Sequence, residues 1–574
     1  MMKGVSAILF AVAFSATLTS FALPSSEKVR AATEEYIRDN HQEEGIKTFT
    51  NALVNELKSS VRIAENRLAV YGELADCVRL MQLSRAVPIP ENVLKWISAS
   101  SERLHLLVDT LSSKDKLPEC MAILDQLAAH DPEGRDKYFK LILAMSVVWD
   151  EPRRPRLHGQ MGRKVLPYEP ELEKRYDYYK NLYESKKAKI AYGDLGVGDL
   201  VFVVDTPVPI EELEWARDNE SGSADSWGKK YAMIKYDNNR LQKEKYDWPN
   251  GEYRLSSIKE HGGICVDQAY YCVITARAYG IPAIFFDAIG SSGGHAWFSY
   301  MRSPREWELD IGRYENQNFT TGNAFYPQTG DLMTDHDIEF AIDSARRTSA
   351  AIKAEWYITI AKVVRRPSPS IARRCAQEAR KAFSKNLDAW NLELGLLIED
   401  HDYSGMLSLF KEFKDVFRKY PDVLAEAASK INTALVESGR DKEADELFKM
   451  LSGVIGSDRD DIQREMEMMR ITQIMESGDA KTALREFEQL LEDQMEAGSK
   501  VLPLLNSYYE FMVSSDQINE GVDFLGDYVD DMVEKSDMLP VYERQFFLIL
   551  RDAYQETGDQ KALDKVETRL QEYD

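Results

Sequence analysis

Apolar residues recur at three- and four-residue spacing along both ends of the chain, the period of an amphipathic helix, and pack into shorter, denser runs in its middle. Residues 25 to about 148 read as helices, with periodic runs at 34–46 and 49–68. Pro88-Ile89-Pro90 interrupts them. Trp149-Asp150-Glu151-Pro152-Arg153-Arg154-Pro155 closes the region, because proline lacks the N–H that a helix interior needs. A further helix with a connector is expected over 168–191, and short helices over 211–217 and 229–236. The apolar run Leu200-Val201-Phe202-Val203-Val204-Asp205, closed by Thr206-Pro207, predicts a strand.

The middle of the chain then changes period twice. Ala269, Cys272, Val273 and Ala276 form a helical stripe, which stops at Gly280-Ile281-Pro282, a glycine C-cap followed by proline. Gly262-Gly263 allows a tight turn just ahead of this helix, so Cys265 is expected in its first turn. Ala283-Ile284-Phe285-Phe286 reads as a buried strand, Gly290-Ser291-Ser292-Gly293-Gly294 as a loop, and 295–301 with 305–310 as a hairpin. A turn about Arg302-Ser303 sets His295 opposite Asp310 and Phe298 opposite Trp307, with the polar pair on one face. A one-residue slip would separate that pair.

A thiol at the mouth of a helix, an imidazole opening a strand and a carboxylate closing the next are the parts of an activated-nucleophile site. The unpaired N–H groups and dipole of a helix N-terminus favour a thiolate, so Cys265 is expected to be reduced, partly exposed and more acidic than the ~8.5 of a free thiol. Cys272 lies two turns further on the same face. About 10 Å of helix separates the two, too far for a disulfide, and core packing is its expected role.

Four motifs in this order, Gly262-Gly263-Ile264-Cys265-Val266-Asp267-Gln268-Ala269, Arg277-Ala278-Tyr279-Gly280-Ile281-Pro282-Ala283, Gly294-His295-Ala296-Trp297 and Trp307-Glu308-Leu309-Asp310, resemble the transglutaminase-like superfamily of papain-like cysteine folds, over about 246–313. The resemblance implies an α+β core, a helix packed on an antiparallel sheet. It implies Cys265 as nucleophile, His295 as base and Asp310 as the carboxylate that orients the imidazole. It implies amide chemistry through an acyl-enzyme, resolved by water in a peptidase or amidase, or by an amine in a crosslinking transglutaminase. The Cys265 N–H is one candidate oxyanion donor, with Trp248 or another upstream side chain as the second.

Past about residue 335 the helical period returns with a longer repeat. Phe410, Phe448, Phe487 and Phe524 recur at intervals of 38, 39 and 37, each nine residues after a turn: His401-Asp402, Gly439-Arg440, Gly478-Asp479 and Ser515-Asp516. Gly558-Asp559 supplies a fifth turn. This pattern predicts a solenoid of helix pairs and resembles tetratricopeptide-like repeats, although the period exceeds their 34 residues. Such a solenoid either binds a protein in its groove or serves as a platform for the core.

Composition refines this picture. At 574 residues the chain needs several cores. The expected units are a signal peptide at 1–22, an N-terminal helical region at 23–150, the transglutaminase-like core at 151–333 and the repeats at 334–574. The formal net charge of −24 argues against nucleic acid as a partner, while the family resemblance implies a peptide or protein substrate. Met1-Met2-Lys3, an apolar stretch over 5–18 and Ser20-Phe21-Ala22 predict export with cleavage after Ala22, and no other run is long enough to span a membrane. No cysteine follows the apolar stretch, so a lipoprotein anchor is not expected. Five cysteines leave at least one unpaired, and spacing leaves a Cys77–Cys120 bridge open. No metal-ligand spacing, calcium loop or phosphate loop is present, so no cofactor is expected. A third reading remains beside the two enzymatic ones: a non-catalytic interaction scaffold with a vestigial site.

Overall fold

The computed structural model describes residues 25–573 apart from 60, 154–167, 243–246, 291–292, 314–320, 343–347, 456–458 and 477–478. The expected signal peptide lies outside these residues, as do Ser291-Ser292 and Gly478. The described chain is α+β: helices on either side of a single five-stranded antiparallel sheet.

The N-terminal helices are Ser26–Arg38, Gln42–Leu57, Glu65–Ala86, Glu91–Ser98, Ser101–Thr110, Leu117–His130 and Phe139–Val148. The periodic run at 34–46 is broken at Asp39-Asn40-His41, where Asn40 turns left-handed at φ 59°. The helix Glu91–Ser98 starts directly after Pro88-Ile89-Pro90, as proline before a first turn favours. The buried core is uninterrupted near residue 150, where the prolines within 149–155 suggested the end of the N-terminal region. One buried apolar cluster runs continuously from Val29 to Leu396. Trp356, on the helix Ser349–Val364, joins the two sides by packing against His105, the rings tilted by 38° with centroids 4.6 Å apart.

The run at 200–205 is not a strand. It is the helix Val197–Val204, with Asp199 accepting from the Gly196 N–H at its start (2.9 Å). A run that is apolar all round fits a buried strand or a buried helix equally well by period alone. Here it packs on the helix Phe139–Val148, so its backbone bonds are made within itself.

The strands are β1 (Ala283–Ile289), β2 (Gly294–Ser303), β3 (Glu306–Ile311), β4 (Asn323–Phe325) and β5 (Leu332–Thr334), in spatial order β3-β2-β1-β4-β5. The helix Cys265–Ala278 lies across β1 and β2, and every residue from Asp267 to Ala278 is buried. The β2–β3 turn is not at Arg302-Ser303. Ser303 pairs with Glu306, so Pro304 and Arg305 make the turn, with Arg305 at φ 70°. Pairing then runs Met301↔Trp307, Tyr300↔Glu308 and Phe298↔Ile311, with two irregularities. Proline has no N–H for a ladder, so it fits the turn better than a strand.

Beyond residue 400 the repeat units are helix pairs. Phe410, Phe448, Phe487 and Phe524 lie on Tyr403–Val416, Asp441–Ser452, Ala480–Glu492 and Ile518–Lys535 respectively, the first helix of each pair. The turns repeat a local device. His401, Gly439, Asp516 and Gly558 all adopt positive φ at a helix end. Asp402, Asp479 and Asp559 then cap the next helix by accepting from the N–H three residues on. Phe410 and Phe487 are fully buried, but Phe448 and Phe524 are only half-buried. Leu447 and Leu525 fill the core there instead, since a helix turns about 100° per residue and one neighbour replaces the other.

Phe487→Ala should therefore cost about 3–5 kcal/mol, the range for emptying a buried phenylalanine site, and Phe448→Ala clearly less. Hydrogen exchange should show the Phe487 loss in the apolar cluster spanning Ile471–Leu570 while protection in the Val29–Leu396 cluster is kept. Equal costs for the two substitutions would contradict the packing.

Candidate active site

The N-terminus of the Cys265 helix is built by close backbone approach. Gly263 donates to the Lys235 carbonyl (2.9 Å), and its own carbonyl accepts from the Asp237 N–H (3.0 Å). Gly262 has φ 80°, and a Cβ there would collide with the Lys235 carbonyl. Asp267, fully buried, caps the helix by accepting from the Ile264 N–H (2.8 Å). Arg240 Nη1 donates to the same carboxylate (2.6 Å), as does the Tyr253 hydroxyl (2.8 Å). Trp248 lies under this group, with its ring 5.4 Å from the Arg240 guanidinium and 5.3 Å from Tyr253. Its indole N–H is buried and has no hydrogen-bond partner among the described residues.

Cys265 is the first residue of the helix, as expected, but it is 8% exposed. Burial pushes its thiol up to about 11, opposed by the nearby Ala296 and Val266 N–H groups. The expected acidic thiol is thus overturned in this conformation. The pull of the helix terminus is outweighed by the loss of water around the sulfur.

Ala296 connects the thiol to the imidazole, because the residue before it is His295. His295 sits on β2 opposite Ala288 of β1 and is buried. Its Nε2 lies 2.6 Å from the Gly312 carbonyl. A carbonyl only accepts, so Nε2 carries the proton and Nδ1 is the basic nitrogen of the neutral ring. Burial lowers the pKa of His295, partly offset by that carbonyl. Ring stacking on Trp297, with centroids 6.1 Å apart, further fixes its plane.

Asp310 does not meet His295. Its side chain is 62% exposed and bonds Arg313 Nη1 at 3.0 Å. The hairpin turn lies two residues later than expected, which carries Asp310 away from His295 and brings Gly312 up in its place. Asp310 still bears on the site through the turn that follows β3. Its carbonyl accepts from the Arg313 N–H (3.2 Å). Arg313 also bonds buried Asp335 (2.7 Å), which accepts from the Gly322 N–H (3.0 Å). Gly312, Arg313 and Asp335 had no sequence motif to announce them. The Asp310-Ile311-Gly312 ending of the strand was the one available signal.

The site is covered from the C-terminal repeats. Ser499 Oγ donates to the Gly290 carbonyl (2.6 Å). Leu539, and Tyr542 on the helix Pro540–Thr557, pack on Gly293 and Gly294, where any Cβ would press on the Tyr542 ring or hydroxyl. The Tyr542 phenol is close enough to Cys265 for the thiol's charge to raise the phenol's cost of ionisation, after burial and against the Gly294 backbone. Cys272 is buried in the core as expected, and all five cysteines are free thiols. Among the described residues no group of three or more His, Cys, Asp or Glu side chains is arranged to hold a metal, and no helix is long and apolar enough to cross a membrane.

Comparison of the chain with protein-family models and with curated proteins returns no match.

The two shifted groups bracket stability. The folded thiol keeps its proton to about 11 against an ordinary 9.0, so the unfolded chain ionises first and stability falls as pH rises through that window. The imidazole, held below its ordinary 6.5, resists a proton that the unfolded ring takes, so stability also falls as pH drops below that value. Denaturation midpoints against pH should show Cys265→Ala making the alkaline limb shallower and His295→Gln the acid limb. Unchanged limbs would contradict the burial of these groups.

Proposed function

We propose that this protein is an exported cysteine hydrolase of the transglutaminase-like kind, acting on amide bonds in a peptide or protein. The observation that carries the reading is the Ala296 N–H beside the Cys265 sulfur, which joins a helix-terminal thiol to the strand of a histidine whose Nδ1 is free of the proton. In the reaction Nδ1 takes the thiol proton and the thiolate attacks the amide carbonyl. The imidazolium returns the proton to the leaving amine, and water cleaves the thioester. The Gly312 carbonyl, in place of a carboxylate, accepts from Nε2–H and steadies the imidazolium. The Cys265 N–H and the unpartnered Trp248 indole N–H are the candidate oxyanion donors. Water is the favoured acyl acceptor, and an amine acceptor would make the same intermediate a crosslinking one.

A scaffold reading has its own support: the thiol is protonated near neutrality and roofed by Leu539 and Tyr542. The two readings part on what happens when the roof is loosened. In an enzyme, Tyr542→Ala admits water and substrate, lowers the thiol pKa and raises turnover. In a scaffold, it changes only partner binding.

The test follows ammonia release and new amino termini from a glutamine-rich protein, with incorporation of a fluorescent primary amine as the second channel. Cys265→Ala and His295→Gln are expected to abolish both. Asp310→Asn is expected to lower kcat by less than about tenfold, because its carboxylate holds Arg313 rather than the imidazole. Neutralising a triad carboxylate that bonds the imidazole costs roughly 10⁴-fold, and a loss of that size here would restore Asp310 to the triad. Activity that survives Cys265→Ala would end the cysteine-hydrolase reading, and activity absent even from Tyr542→Ala would favour the scaffold.

A further inference from the structure

Two main-chain groups, one near the Cys265 thiol and one bonded to the His295 imidazole, rest on one side chain. Tyr231, 5% exposed on the short helix Lys229–Met233, donates its hydroxyl to the Ala296 carbonyl (2.7 Å). The face of its ring covers Gly312 so closely that a Cβ there would be driven into the phenol carbons. Gly312 has φ 91°, a conformation that few residues other than glycine adopt, and its carbonyl receives the His295 proton. Ala296 is the residue whose N–H lies near enough to the Cys265 sulfur to favour its ionised form. The phenol is itself fixed from two sides. Its ring stacks on Phe298 at an interplanar angle of 9°, and its backbone carbonyl accepts from Gln268 Nε2 (3.2 Å) one turn along the Cys265 helix.

We propose that Tyr231 is the positioning residue of the site: its hydroxyl sets the strand at Ala296 and its ring sets Gly312, so one side chain fixes the thiol's N–H donor and the imidazole's acceptor relative to each other. The inference rests on the cysteine-hydrolase reading for its catalytic meaning, and on contacts alone for its geometry. Two separate positions are controlled by two separate parts of one phenol, which makes the parts separable by substitution. Tyr231→Phe removes the hydroxyl and leaves the ring on Gly312. Tyr231→Leu removes both. Asp310 and Arg313 support the same turn from outside, with Asp310 largely in solvent and therefore replaceable by water.

The experiment compares the full chain with Tyr231→Phe and Tyr231→Leu. One readout is the rate of iodoacetamide alkylation at Cys265 from neutral to alkaline pH, located by mass spectrometry. The other is the imidazole ¹⁵N shifts of His295 in histidine-labelled protein, assigned among the 8 histidines with His295→Gln. Tyr231→Phe should slow neutral alkylation by about three- to tenfold, the worth of one hydrogen bond, and move the thiol profile upward. His295 should stay protonated on Nε2. Tyr231→Leu should do the same to the thiol and also lose the single tautomer. A tyrosine that only fills the core would lower the thermal midpoint in both variants yet leave the pH profile and the tautomer as in wild type, and that result overturns the proposal. The tautomer reports the Gly312 contact even if the thiol proves unreactive. A wild-type thiol indifferent to His295→Gln therefore sinks the hydrolase reading by itself, while an unchanged tautomer in Tyr231→Leu sinks the positioning role by itself.

Discussion

The constraint on which the site depends is the burial of a helix N-terminus. A helix leaves its first four N–H groups without partners, and the helix that begins at Cys265 opens inside the protein rather than at its surface. Burying such an end without partners costs about 1–3 kcal/mol for each orphaned group. Asp267 answers part of that cost by taking the Ile264 N–H, and its own charge must then be matched in turn. Arg240 and Tyr253 supply the match, and Trp248 packs on both. A chain of requirements thus leads from one buried turn to a cation, a phenol and an indole. The sulfur inherits the dry surroundings that this chain creates.

The same dryness decides the protonation states. A helix terminus and two nearby N–H groups favour the thiolate, but desolvation outweighs them and the thiol stays neutral. The imidazole is held neutral by the same cause. A neutral pair in a closed site stores no charge and is resistant to adventitious oxidation, which proceeds through thiolate. What changes the balance is water. Leu539 and Tyr542 come from far along the chain to pack on Gly293 and Gly294, so on the cysteine-hydrolase proposal the reactivity of the thiol would depend on how tightly these C-terminal residues sit there. Ionising the thiol and opening the roof are in this sense one equilibrium.

What was legible in the sequence follows from whether the cause was local. The start of the Cys265 helix was readable because Gly262-Gly263 and the apolar stripe lie within a few residues of it, and the Gly-Asp turns of the repeats were readable because a left-handed residue and its capping aspartate are adjacent. The strand expected at 200–205 failed because an all-apolar run carries no period, and only the neighbouring helix Phe139–Val148 decides it. The hairpin register failed at Pro304-Arg305, where a non-glycine residue takes positive φ and two irregularities follow. That error moved the imidazole's partner from Asp310 to Gly312. Main-chain acceptors leave no mark in residue type, so no reading of side chains finds them. The cover formed by Tyr542 was illegible for a different reason, being a contact between segments with no shared pattern.

Replacing a carboxylate by a carbonyl behind the histidine changes what the site can do as well as how it is read. A carboxylate beside imidazolium adds a full opposite charge and raises the ring's basicity, whereas a carbonyl adds only a dipole. The Gly312 carbonyl therefore fixes the tautomer of His295 while leaving its basicity low, in keeping with its depressed pKa. A weak base cannot keep a thiol ionised at rest, so on the cysteine-hydrolase proposal the proton would move only with a substrate carbonyl present to receive the electrons. Such a site depends more heavily on position than on resting charge, and position here is supplied by glycine backbone pressed against aromatic rings. Gly312 on Tyr231, Gly322 on Trp297 and Gly294 on Tyr542 are three such contacts around a single histidine. In each the glycine has no Cβ to hold the ring off, and an added methyl group would force the aromatic side chain to shift.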